Sequence, residues 1–87
     1  MSKDAKFNLK HGIQFPYDAP DSWWRSGSDP LPILPMSTAH VAARGILTEL
    51  QDRHTIKRGF EGVDEATREE IVDSLAAIIR EAFVQAM

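Results

Sequence analysis

The chain has 87 residues, with 10 Lys and Arg against 13 Asp and Glu, a net charge of −3 and no cysteine. That is the size of one domain, its acidity opposes broad nucleic-acid binding, and it excludes disulfides, thiol nucleophiles and zinc sites built on Cys. No apolar run approaches the ~18 residues of a membrane span and no charged-then-apolar leader opens the chain, so a cytoplasmic protein is the expectation.

Residues 1–87 read as a single domain in two parts, an extended arm over 1–36 and a helical hairpin over 37–87. All five prolines lie between Pro16 and Pro35, and five of the seven aromatics (Phe7, Phe15, Tyr17, Trp23 and Trp24) precede residue 25. Proline fixes φ and removes a donor, so the stretch 16–35 reads as neither a helix nor an inner strand. In the arm, Phe7, Leu9, Ile13 and Phe15 alternate with Asn8, Lys10 and Gln14, a period that favours β structure. The pattern fits one short strand broken at Gly12, or a β-hairpin turning at Lys10-His11-Gly12. Asp21 is placed to cap a single helical turn over Ser22, Trp23, Trp24 and Arg25. Residues 29–35 read as extended, near polyproline II, with Leu31, Ile33 and Leu34 covering the helical core.

After Pro35 the period changes. Ala39, Ala42, Ala43, Ile46, Leu47 and Leu50 recur at helical spacing, and predict a helix over about 38–53 capped by Ser37 or Thr38. His40, Arg44, Thr48, Glu49, Gln51 and Asp52 fall on its opposite, polar face. Gly45, beside Ala42 and Ala43, predicts a close helix–helix crossing or a docking groove. Residues 54–63 break the period, and Gly59 and Gly62 suit a turn. Asp64 then caps a second long helix over about 65–86, with Glu65, Glu69 and Glu70 at its positive end. Its apolar positions are Ile71, Val72, Leu75, Ala76, Ile78, Ile79, Ala82, Phe83 and Ala86. One partner helix cannot cover so wide a stripe, so the arm, a second copy or another protein must. A homodimer with a helical core is expected.

The residues that carry chemistry are few. Trp23-Trp24-Arg25 combines types enriched in binding hot spots, with one ring expected inside and the other outside. Arg53, His54, Lys57 and Arg58 form the single local basic cluster, at the end of the first helix, where cations match the helix dipole or meet a phosphate or acidic partner. A helix-turn-helix does not fit, because the link between the helices reads as about ten residues instead of three or four. His11, His40 and His54 lack metal-ligand spacing, and no phosphate loop, nucleophile elbow or dinucleotide fingerprint occurs. Asp64, Glu65, Glu69, Glu70 and Asp73 read as a solvated acidic helix face. No catalytic residue, metal or cofactor is expected.

The stretches Ala42-Ala43-Arg44-Gly45-Ile46-Leu47, Asp52-Arg53-His54-Thr55-Ile56-Lys57-Arg58-Gly59-Phe60, Val63-Asp64-Glu65 and 70–80, with Phe15-Pro16-Tyr17 and Trp23-Trp24 before them, resemble small uncharacterised proteins of tailed phages and prophages. The likeness covers about residues 7–83. It implies a phage setting and an accessory protein that binds a host or defence protein, and it transfers no catalytic residue. The expected function is therefore a non-enzymatic, phage-encoded interaction protein that modulates or inhibits such a partner, for example a bacterial defence complex. The expected contact residues are Trp23, Trp24, Arg25, Arg53, Lys57 and Arg58. Nucleic-acid or nucleotide binding through Arg53, Lys57 and Arg58 in an oligomer, or a structural role in a phage assembly, are the alternatives.

Overall fold

The structure is a computed structural model that describes residues 9–27 and 30–86. The order of elements is α1 (Leu9–Gln14), α2 (Asp21–Arg25), α3 (Thr38–Gln51), α4 (His54–Phe60) and α5 (Glu65–Ala86). The mostly helical class is as the periodicity indicates, and among the described residues there is no strand. α3 is the hub, packed against by α1, α5 and α4. No helix among the described residues is long and apolar enough to cross a membrane.

α3 begins as its sequence dictates. Ser37 is extended, and its hydroxyl accepts the His40 backbone N–H at 3.2 Å, supplying a partner that the first turn lacks. Ala39, Ala43 and Leu47 are buried along one meridian, and so are Val72 and Ala76 of α5. Tyr17, Ala43, Leu47 and Val72 form the core, with Phe60, Ile71, Leu75 and Ile79 packed around it. α3 and α5 thus make the expected pair of long helices, but with a third helix between them. The segment 54–63 is not a ten-residue loop: α4 occupies His54–Phe60 after a link of two residues, Asp52 and Arg53. Gly59 lies within α4, and Gly62 alone carries the turn, at φ 81°. No α4 residue is fully buried, and Phe60 holds it by meeting Tyr17 edge to face at 5.4 Å. The spacing argument against a helix-turn-helix falls with the loop on which it rested.

The arm differs most from its pattern. Residues 9–14 are helical, not a strand or hairpin; Phe7 and Asn8 of that pattern lie outside the described residues. Six residues are too few for a helix to persist alone, so docking on α3 decides the conformation. The reason is steric. A Cβ on Gly12 would lie 2.8 Å from the Arg44 carbonyl carbon and 2.9 Å from the Gly45 nitrogen, so glycine lets the two backbones touch. A Cβ on Gly45 would meet a Leu9 methyl at 3.0 Å. The close crossing expected at Gly45 is therefore present, and α1 fills the place of a docking groove.

This docking turns burial around α3. Arg44, expected on the solvent face, is buried, and donates from Nε and Nη2 to both carboxylate oxygens of buried Asp18, at 2.8 and 2.9 Å. Its Nη1 also reaches the Met36 sulfur at 3.2 Å. Ile46, expected inside, is exposed. A second arginine ties the arm to α5. Arg68 donates to the carbonyls of Tyr17 (3.1 Å), Val63 (2.7 Å) and Ala19 (3.4 Å) and pairs with the Asp21 carboxylate. Asp21 is accordingly not the cap of α2: Pro20 holds that position without a side-chain cap, and the Asp21 N–H donates to Glu65 Oε1 at 2.7 Å.

Two expectations about cover also change. Leu31 and Ile33 of the proline-rich segment are exposed, not laid on the core, while Leu34 is half-buried. On α5, the meridian of buried Val72 and Ala76 continues through half-buried Ile79 to Phe83, which is 61% exposed. Ile78 and Val84 are exposed beside it.

Candidate functional site

Where α1, α2, α3 and α4 converge, they leave a cleft of about 260 Å³ lined by His11, Phe15, Tyr17, Trp24, Thr48, Gln51, Asp52 and Lys57. Its construction follows from the docking already described. α1 and the residue that follows it bring His11 and Phe15, whose rings meet edge to face at 5.4 Å. Tyr17 comes from the turn that the Arg68 and Arg44 contacts pin in place. The C-terminal turn of α3 supplies Thr48 and Gln51, and the two-residue link brings Lys57 of α4 to the rim.

The tryptophan pair divides as its adjacency requires. Trp23 is buried and its indole N–H donates to the Pro30 carbonyl at 2.6 Å, which holds the chain after α2. Trp24 stacks edge to face on it, centroids 4.7 Å apart, and is 40% exposed. Trp23 thus positions Trp24, and Phe15 is similarly half-exposed. A half-exposed ring held from behind is an apolar contact whose ordering cost is already met by the fold.

Of the expected contact residues, the structure brings Trp24 and Lys57 to this cleft. Trp23 stands behind it. Arg25 is exposed on α2, outside the lining. Arg53 donates to Glu49 one turn back, at 2.5 Å. Arg58 is exposed on α4, and with His54 and Lys57 it shares one face at i, i+3 and i+4. Phe15 and His11 are not among the contact residues the sequence suggests, because Phe15 reads as part of a strand and His11 as a hairpin-turn residue without metal-ligand spacing. The signal that finds them is the pair Gly12 and Gly45, which lets α1 lie on α3.

Tyr17 closes the inner side of the cleft. Its hydroxyl is buried and, among the described residues, has no hydrogen-bond partner. Burial raises its pKa above the ordinary value, while the nearby Arg68 charge acts in the opposite direction.

Elsewhere, Ser37, His40 and Asp73 form a chain: Ser37 Oγ lies 2.7 Å from His40 Nδ1, and His40 Nε2 lies 3.2 Å from Asp73 Oδ1. The residue types are those of a hydrolase triad, but here Ser37 caps α3 and the histidine bridges α3 to α5. A shallow, open depression on α5 is lined by Ala66, Glu69, Glu70, Asp73, Ser74 and Ala77, the acidic face that the sequence indicates. Among the described residues no group of three His, Cys, Asp or Glu is placed to hold a metal ion.

No family model, curated protein or solved structure matches the chain.

Proposed function

We propose that the chain acts by non-enzymatic contact with another protein, and that the cleft between α1, α2 and α4 is its contact surface. In the phage setting implied by the sequence likeness, it is an accessory factor that modulates or inhibits a host or defence protein. The observation that carries this reading is the pair of half-exposed rings, Phe15 and Trp24, lining one cleft together with Lys57 and the polar Thr48 and Gln51 of α3. Aromatic anchors held in a pocket and ringed by polar groups are what binding hot spots are made of. The test is affinity capture from host lysate with the wild type and with Trp24→Ala and Phe15→Ala. A partner held by the wild type and lost by both variants supports the reading; a partner equally retained by both removes it.

A second contact is supported by the uncovered end of α5. Ile78, Phe83 and Val84 are each more than half exposed on one short length of helix. A second copy of the chain is the occupant proposed here, giving a homodimer. Light scattering across a concentration series tests it: a constant monomer mass rejects it.

A further inference from the structure

We infer that the proline-rich segment 30–36 is a preformed polyproline II ligand, which docks in a groove lined by aromatic rings on a partner protein. This rests on the reading that the chain acts by contact with another protein, and adds a surface apart from the cleft together with the chemistry of what receives it.

Conformation comes first. Proline fixes φ at about −65°, and the residue before a proline is pushed toward extended backbone. Pro30, Pro32 and Pro35 are therefore set, and so are Leu31 and Leu34. Ser37, which closes the segment, stands at φ −61° and ψ 157°, which is polyproline II geometry. Among the described residues, no N–H or carbonyl from Leu31 to Met36 makes a backbone hydrogen bond, as in that conformation. Both ends are fastened. The buried Trp23 indole N–H donates to the Pro30 carbonyl at 2.6 Å, and Arg44 Nη1 reaches the Met36 sulfur at 3.2 Å. The ordering cost of a bound shape is thus met before any partner arrives.

Exposure sets the contact edge. Polyproline II repeats every three residues, so Pro30, Ile33 and Met36 share one edge, about 19 Å long at ~3.1 Å per residue. All three are exposed, and Ile33 is more exposed than any other large apolar side chain among the described residues. A plain spacer between α2 and α3 needs no apolar residue there, because polar residues would reach as far. Joining the edge of a partner's sheet is disfavoured, because Pro30, Pro32 and Pro35 supply no N–H to the ladder. What the segment offers is proline rings, bare carbonyls and an apolar edge without a charge. Aromatic side chains answer all three, since ring faces stack on proline and indole or phenol groups donate to carbonyls.

The experiment captures a partner from host lysate on the whole chain, then adds a synthetic peptide of residues 30–37, or the same peptide with alanine in place of Pro32 and Pro35. The first peptide is expected to release the partner, and the second to need roughly ten times the concentration, because it has lost the preset shape. Release should be the same at low and high salt, since the segment carries no charge. The peptide has no aromatic residue, so added to the purified partner it should shift that protein's own tryptophan or tyrosine emission. Ile33→Asp, at an exposed position, should leave circular dichroism unchanged and lose the partner. No release by the first peptide, equal release by the two, no emission shift, retention of the partner by Ile33→Asp, or no captured protein overturns the inference. A partner lost with Trp24→Ala and Phe15→Ala yet kept with Ile33→Asp leaves the cleft standing and removes the proline-rich contact. A partner kept by both cleft variants but released by the first peptide keeps this contact and removes the cleft.

Discussion

α3 and the last turns of α5 both carry apolar stripes, and the fold treats them differently. The stripe of α3 is covered on two sides, by α5 and by α1 with its following turn, and only Ile46 of it is exposed. On α5 the line Val72, Ala76 and Ile79 is covered, while Ile78, Phe83 and Val84 are left in water. Contact geometry helps to separate the two: Gly12 lets α1 reach the α3 backbone, and Arg44 and Arg68 then hold the arm against both helices. Among the described residues, no such attachment is made beyond Ile79. An apolar face is buried only when something is fastened over it.

The sharpest way to break the sealed side is its buried ion pair. Asp18→Ala leaves the Arg44 guanidinium buried without its carboxylate, and should cost about 3–5 kcal/mol in urea unfolding. Combining it with Arg44→Met should recover much of that loss, because no unpaired charge remains. An unchanged midpoint in Asp18→Ala would show that the arm is not fastened there.

Gly12→Ala comes next. The new methyl meets α3 backbone, which cannot swing aside, so α1 must lift; about 1–3 kcal/mol is expected. Amide exchange should accelerate in α1 while α5 keeps its protection. Gly45→Ala should cost less, since it meets the movable end of Leu9 and gains helix propensity.

Tyr17→Phe runs in the opposite direction. It removes a buried hydroxyl that lacks a partner, and should be neutral or stabilising by about 1 kcal/mol. The pH dependence has a definite sign. The folded pKa is raised, so the stability tied to the neutral phenol is fully present below the unfolded value of roughly 10 and is lost as pH rises through the higher folded value. The wild type should therefore lose more stability on alkaline titration than Tyr17→Phe. Tyr17 is the one tyrosine of the chain, so tyrosinate absorbance reports it directly.

The smallest effect belongs to the bare side. Phe83→Lys should change monomer stability by no more than about 0.5 kcal/mol, because its ring is already 61% exposed. If the homodimer forms there, the same substitution should abolish the concentration dependence of the mass. A large destabilisation of the monomer would mean that the end of α5 is covered after all.

Much of this was legible in the sequence, and the failures have physical causes. The two long helices, the Ser37 cap and the close crossing at Gly45 follow from period, capping chemistry and the lack of a side chain. The split between Trp23 and Trp24 follows from adjacent residues pointing apart. The sequence reading missed α1, because Phe7 to Phe15 alternates as a strand does while the helix is fixed by docking. It missed α4, because a seven-residue helix with no buried position has no stripe to read. It placed Arg44 in water, because a periodic pattern shows which face is polar but not whether a carboxylate from elsewhere will meet it. Of the candidate site, Trp24 and Lys57 were found by residue type; Phe15 and His11 needed the path of the arm.

The sequence by itself determined where long helices start, which of their faces are oily, and that the chain lacks the thiols and motifs of common catalytic sites. Those properties are local, set within a few turns by hydrogen bonding and side-chain period. Only the tertiary structure decided which oily faces are sealed, which arginines go inside, and which rings share a cleft. Those depend on groups 26 to 51 residues apart along the chain, such as Asp18 with Arg44 and Tyr17 with Arg68, meeting in space.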